Sequence, residues 1–157
     1  MTAASYRIHR LQPGDEWVVT QLARGNARFG SGDENEWLPP LGGEDAAAFV
    51  ADPNTICVVA VEDGTNQICG FAYGGVLLRR HTKPKHVCLY EMGIDIDHRR
   101  GDVGMMLLRG FASEARDMGI ERGFVITSAA NADEVKLYRA FGALTSPDTD
   151  ILFGLEF

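Results

Sequence analysis

A chain of 157 residues with 45% hydrophobic and 24% charged side chains has room for one domain with a sizeable core, and is too short for two comfortable ones. A formal net charge of -7 and a sequence pI near 5.0 argue against a nucleic-acid partner, whose phosphates call for a basic surface, and suit a cationic substrate. No run approaches the ~18 apolar residues of a membrane span, and the opening MTAASYRIHRLQPGDEW lacks an apolar signal core, so a cytoplasmic protein is expected.

The first element, SYRIHRL (Ser5 to Leu11), alternates polar and apolar residues as a short half-buried strand does. PGDEW follows as a turn and helix start, with Asp15 and Glu16 placed near the positive end of the helix dipole. Trp17, Val18, Gln21, Leu22 and Phe29 share one helical face to about Gly30. Phe29 to Asp45 is rich in glycine, proline and acids and reads as a loop; GEDAAAFVAD is a short helix ended by Pro53. Two β-branched and aromatic runs then flank Asp63, Gly64, Thr65 and Asn66, the signal of a hairpin. VCLYEMGIDI (Val87 to Ile96) is a third strand. From Val103 the period becomes helical through Met106, Leu107, Phe111 and Met118, with Gly119 as a C-cap. GFVIT is a buried strand, ADEVKLYRAFG a helix closed by Gly142, and DILFGLEF a final strand. The order predicts one α/β domain over residues 1–157, a mixed and mostly antiparallel sheet flanked by helices, with a local parallel crossover near its end.

The junction DHRRGDVGMM (Asp97 to Met106) joins a strand to a helix through glycines. First-turn N–H groups there are free and aligned, and with the helix dipole they make an anion site. Arg99 and Arg100 add charge-assisted donors suited to phosphate. A surface loop with two solvated arginines is the alternative, and spacing leaves both open. The stretch is neither a Walker A sequence nor G-x-G-x-x-G. In the third strand, strict alternation puts Cys88, Tyr90, Met92, Ile94 and Ile96 on one face, and Val87, Leu89, Glu91, Gly93 and Asp95 on the other. Burial of Glu91 would suit it as a proton acceptor, whereas the pattern alone favours a solvated glutamate. Gly93 suits a bulge or the close approach of a ligand backbone. Tyr138 fits ordinary helix-core packing, and Asn131 a loop or cap. Cys57, Cys69 and Cys88 read as small buried side chains in a reducing compartment, and neither they nor the four histidines show metal-ligand spacing.

DHRRGDVGMMLLRGFASEARDMG resembles the coenzyme A loop and helix of GNAT-superfamily N-acetyltransferases, whose pattern is Q/R-x-x-G-x-G/A. SAANADEVKLYRAFGA (Ser128 to Ala143) resembles the later segment of that superfamily, and the order of elements agrees over nearly the whole chain. Within the superfamily, LLRRHTKPKHVCLYEMGIDIDHRRG is most similar to aminoglycoside 3-N-acetyltransferases of the gentamicin-modifying type. The chain departs at one position. With Arg99 first in the motif, Asp102 stands fourth, where the family has glycine, and Gly104 sixth. Asp102 offers the same N–H, provided that its carboxylate faces away from the phosphates and serves the helix start.

The resemblance implies a GNAT fold and an acetyl-CoA-dependent enzyme without metal. It would acetylate gentamicin-class antibiotics at the 3-amino group and confer resistance, and a homodimer is what the resemblance suggests. Acetyl-CoA would be held by Arg99, Arg100, Gly101, Asp102, Val103 and Gly104, by backbone groups of Met92 and Ile94, and by Asn131. Glu91 would be the base, and Tyr138 would protonate the leaving thiolate. A polycationic acceptor would meet Tyr90 and the acids Asp33, Glu34, Glu36, Asp148 and Asp150, with Trp37 as an apolar or cation–π wall. The alternatives are a GNAT acting on a polyamine or a protein N-terminus, and a non-catalytic acyl-CoA-binding domain.

Overall fold

The computed structural model describes residues 4–30, 39–80, 85–147 and 153–156. Asp33, Glu34, Glu36, Trp37, Asp148 and Asp150 lie outside the described residues. The chain divides into two compact units, Met1–Ile126 and Thr127–Phe157.

The first unit runs β1 (Tyr6–Arg10), α1 (Glu16–Arg24), α2 (Asn26–Phe29), α3 (Gly43–Ala51), β2 (Thr55–Glu62), β3 (Ile68–Leu77), β4 (His86–Ile94), a single 3-10 turn (Ile96–His98), α4 (Val103–Asp117) and β5 (Arg122–Val125). The sheet has the order β1-β2-β3-β4-β5. Strands β1 to β4 form an antiparallel meander, and β5 joins β4 in parallel after the α4 crossover. The turn between β2 and β3 falls at Asp63–Asn66 as its residues direct, with Gly64 at φ 89° and Asn66 at φ 57°.

The sheet is covered on both faces. On one lies α4, which buries Val103, Leu107, Leu108, Phe111 and Ala115. Full burial of Leu107 is worth roughly 1.5–3 kcal/mol relative to exposure. On the other, Val18, Phe29 and Val50 of the three N-terminal helices pack with Cys57, Val59 and Phe71 of the sheet. The helix expected to run to Gly30 is broken at Gly25, which ends α1 and opens α2. The break swings Phe29 inward, where it meets Phe71 edge-on with ring centroids 5.6 Å apart.

Strand β4 corrects the expected alternation. Tyr73 pairs with Glu91 but the next residue, Gly74, pairs with Leu89, so Tyr90 is an extra residue, a β-bulge. The inserted residue resets which side chains share a face. Val87, Leu89 and Met92 are buried, and Glu91 moves to the face of Tyr73, opposite to that of Val87 and Leu89. The bulge is at Tyr90 and not at Gly93. Gly93 instead admits α2: a Cβ there would fall 2.8 Å from the Phe71 ring and 2.9 Å from the Phe29 Cβ.

In the second unit α5 (Ala132–Phe141) ends at Gly142, which takes the left-handed conformation at φ 103°. The strand expected over the last residues does not form over 153–156, the part of it that is described; Phe153 and Leu155 there are exposed.

Candidate active site

Strand β4 has two halves. His86 to Leu89 is paired on both sides, with β3 and with β5. The ladder to β5 stops at the Leu89–Val125 pair, so from Tyr90 to Ile94 that edge of β4 has no ladder partner among the described residues. Backbone groups of Met92 and Ile94 lie in this open half. Their side chains fall on the α4 face, since Gly70, the partner of Ile94, backs directly onto Leu107 and Val103. Glu91 faces the other way, half-buried beside Tyr73.

On the Glu91 face a cleft of about 370 Å³ is lined by Phe49, Thr55, Tyr73, Gly74, Gly75, Leu77, Cys88, Tyr90 and Phe124. Tyr90, pushed outward by the bulge, is 72% exposed and lies 5.6 Å from the Tyr73 ring. Burial, and then the Glu91 carboxylate, weaken the acidity of the Tyr73 phenol; burial chiefly, and Glu91 secondarily, push the Cys57 thiol up to about 12. Both groups keep their protons at neutral pH.

Beyond Ile94 the chain turns through a charged corner. Asp95 is 2% exposed. Arg28 of α2 grips it with Nε and Nη2, each at 2.9 Å, and reaches Asp97 at 2.6 Å. Asp95 also accepts from the Asp97 N–H at 3.0 Å and lies 3.4 Å from His98 Nδ1. The Arg28 bonds, ahead of the others, hold its carboxyl down at about 2.

Arg99, expected to face an anion, turns back toward α2. Its Nε donates to the Ile94 carbonyl at 3.2 Å and its Nη2 to the Arg28 carbonyl at 3.3 Å. It braces the corner with the donors expected for phosphate. Arg100 is exposed and takes the left-handed conformation at φ 69°, and Gly101 and Asp102 are exposed after it. Asp102 sits at the N-cap of α4 with helical dihedrals and makes no side-chain cap bond, so the expected service of its carboxylate to the helix is limited to charge and dipole. Val103 and Gly104 are buried as the first residues of the helix. With no side chain capping it, the α4 N-terminus fits an anionic diphosphate presented to its N–H groups.

In the second unit Asn131 caps α5, its side chain accepting from the Glu134 N–H at 3.3 Å. Tyr138 is 8% exposed; burial, then Glu134, raise its phenol to about 12. A phenol so shifted stays protonated through the neutral range, the state that a proton donor requires. Among the described residues no group of three His, Cys, Asp or Glu is placed to hold a metal, and no helix is long and apolar enough to cross a membrane.

Sequence reading missed Tyr73, Phe49 and Phe124 around the cleft and Arg28 at the corner. The Phe49 and Tyr73 rings meet edge-on at 5.6 Å.

The structure is thus an α/β fold whose fourth strand, half-open on one edge, feeds a helix with no side-chain cap through an arginine and glycine turn. Residues 19–143 match the acetyltransferase (GNAT) family, and the chain belongs to it; its members are acetyltransferases that use acetyl-CoA. No curated protein matches the sequence. Among solved structures, the aminoglycoside acetyltransferase HMB0005 from an uncultured soil metagenomic sample superposes with a TM-score of 0.83 at 19% identity, over 98% of this chain and 99% of that one. The aminoglycoside acetyltransferase meta-AAC0020, also from a soil metagenomic sample and in complex with sisomicin, gives 0.79 at 16% identity over 96% and 97%. Aminoglycoside N-acetyltransferase AAC(6')-Iy, in complex with CoA, gives 0.72 at 16% identity over 99% and 97%. At these identities the likeness is one of fold.

Proposed function

We propose that this acetyltransferase acetylates an amine of aminoglycosides, the 3-amino group of the gentamicin class, with Glu91 as the proton acceptor. The observation that carries the reading is the Tyr90 bulge. It turns Glu91 away from the α4 face and onto the cleft face, beside the open half of β4. In that place the carboxylate takes the proton of the acceptor ammonium, and the freed amine attacks the thioester of acetyl-CoA. Backbone N–H groups between Met92 and Ile94 hold the developing oxyanion. Arg100 and the first-turn N–H groups of α4 bind the diphosphate, with Gly101 keeping the approach open. Tyr138 keeps its proton for the leaving thiolate. Acetylation removes a positive charge from the drug and with it part of its attraction to RNA phosphates.

A net charge of -7 supports a polycationic acceptor, as does the fold of three aminoglycoside enzymes. Asp33, Glu34, Glu36, Asp148 and Asp150 are the acids proposed to meet its ammonium groups. One observation favours a second reading: the described cleft lining is aromatic and apolar and includes no acid, which suits an amine borne on an apolar ring. Mass spectrometry of gentamicin, sisomicin and phenethylamine incubated with protein and acetyl-CoA separates the two. Acetylated sisomicin is expected; turnover of phenethylamine alone would replace the first reading with the second. Under either, Glu91→Gln lowers kcat/KM by roughly 10²–10⁴-fold, the range of a general base, and a rate within a few-fold of the native one removes Glu91 from the mechanism.

A further inference from the structure

Glu91 does not stand alone on its face. Tyr73 is its direct partner across the β3–β4 pair, and side chains so opposed have Cβ atoms about 4.5–5.5 Å apart. Three aromatic contacts fix the Tyr73 ring. Phe49 meets it edge-on at 5.6 Å, Phe71 lies near-parallel at 6.2 Å, and Tyr90 is tilted against it at 5.6 Å. A ring held on three sides leaves its hydroxyl few directions. After burial, the charge of Glu91 is the largest influence that weakens the acidity of the phenol. Cys57, paired with Tyr73 on β2, is another ionisable group that the Glu91 charge shifts. A thiol is a weak donor and a phenol a strong one. Tyr90 stands beside Tyr73, while α2 and α3 bring the uncharged Phe29 and Phe49 to this side. Among the described residues no ion pair includes Glu91.

We propose that Tyr73 is the positioning residue for Glu91, its phenol donating to one carboxylate oxygen and leaving the other for the acceptor amine. The inference rests on the reading of Glu91 as proton acceptor. A neutral donor serves this place better than a cation. It fixes the carboxylate without repelling the incoming ammonium. The bulge is what makes the pair: without Tyr90 as an extra residue, Glu91 would sit on the α4 face and Tyr73 would face no carboxylate.

The carboxyl ¹³C resonance of labelled glutamates at fixed neutral pH, with Glu91 assigned from Glu91→Gln, reads the pair without any acceptor. Tyr73→Phe keeps the ring and its aromatic contacts and removes the donor. The Glu91 resonance is expected to lose the H/D isotope shift that a phenol hydrogen bond gives it, and kcat/KM with sisomicin to fall about three- to tenfold, the worth of one hydrogen bond and less than the loss in Glu91→Gln. Fluorotyrosine at position 73, a stronger donor of nearly the same shape, enlarges the isotope shift and covers the case in which Tyr73→Phe does not fold. An isotope shift at Glu91 that is unchanged in a Tyr73→Phe protein with native circular dichroism overturns the proposal. The resonance decides the pair and the Glu91→Gln rate decides the base, so the two readings fail separately.

Discussion

Asp95 and Asp102 stand on the same connection from β4 to α4, and their surroundings are opposite. Asp95 is buried, gripped by two nitrogens of Arg28 and backed by His98. Asp102 is exposed at a helix start and caps nothing. Arg99 and Arg100 divide the same way, the first turned onto two backbone carbonyls and the second out in solvent at a positive φ. The corner therefore has a locked floor and an open lip. The floor is built by consecutive residues of α2: Arg28 takes Asp95, and Phe29 fills the niche over Gly93. Charge that is buried and paired sets the shape of the turn, which leaves the lip free to meet a ligand. That division gives three places to press.

The largest effect is expected at the floor. Asp95→Asn takes the buried carboxylate from Arg28 and His98, leaving Arg28 only the exposed Asp97. Breaking a buried pair costs ~3–5 kcal/mol, but half of the Arg28 side chain faces water, so about 2 kcal/mol is the reasonable figure. For a chain of this size that lowers Tm by roughly 4–8 °C in a calorimetric scan. The pH dependence follows from the sign of the shift. Asp95 is held down at about 2 in the folded chain, against roughly 4 when unfolded. Its contribution is full above the unfolded value and is lost as the pH falls from about 4 through about 2. The variant should lack that acid-side loss, and an unchanged acid limb would place the stability of the corner elsewhere.

Gly93→Ala comes next. The new methyl would press on Phe29 and Phe71, and overpacking of this kind costs ~1–3 kcal/mol; at about 1.5 kcal/mol the fall in Tm is about 3–6 °C. Gly93 also shows where sequence reading reached and where it stopped. The β-branched runs around Asp63–Asn66, the helical spacing from Val103 and the glycine after Phe141 are local signals, and each element formed where its residues put it. The bulge was legible in principle, because Val87, Leu89 and Met92 are spaced by two and then by three, which strict alternation cannot produce. Gly93 was open to either of two uses, and neither involved α2. The Arg28–Asp95 pair joins positions 67 residues apart, and no local pattern carries such a contact. Tyr73 was missed for a related reason. The hairpin turn fixes β3 against β2, but no short turn fixes β3 against β4, so nothing in the sequence sets Tyr73 opposite Glu91. The division of the arginines was hidden too, since Arg99 finds its acceptors only after α2 has docked.

The smallest effect is expected at the lip, and it is the most informative about ligand binding. Asp102 lies where the diphosphate of acetyl-CoA is proposed to meet the α4 N-terminus, and its carboxylate repels that charge across water. A single exposed charge in such a place is worth well under 1 kcal/mol, so Asp102→Asn should tighten acetyl-CoA binding about two- to fourfold in calorimetry at low salt. The gain should fade as the ionic strength rises through 0.15 M, where the screening length is about 8 Å. Asparagine keeps a good N-cap residue, so helix stability stays nearly constant and the comparison isolates charge. Asp102→Gly, which restores the glycine found at this position in the family motif, should behave alike but with slightly lower Tm. Two results would break the picture in different ways. Tightening that ignores salt would mean that Asp102 acts through backbone shape and not through charge. Binding seen only in the glycine variant would mean that the native lip is closed to the coenzyme, and the acetyltransferase reading of this chain would fall with it.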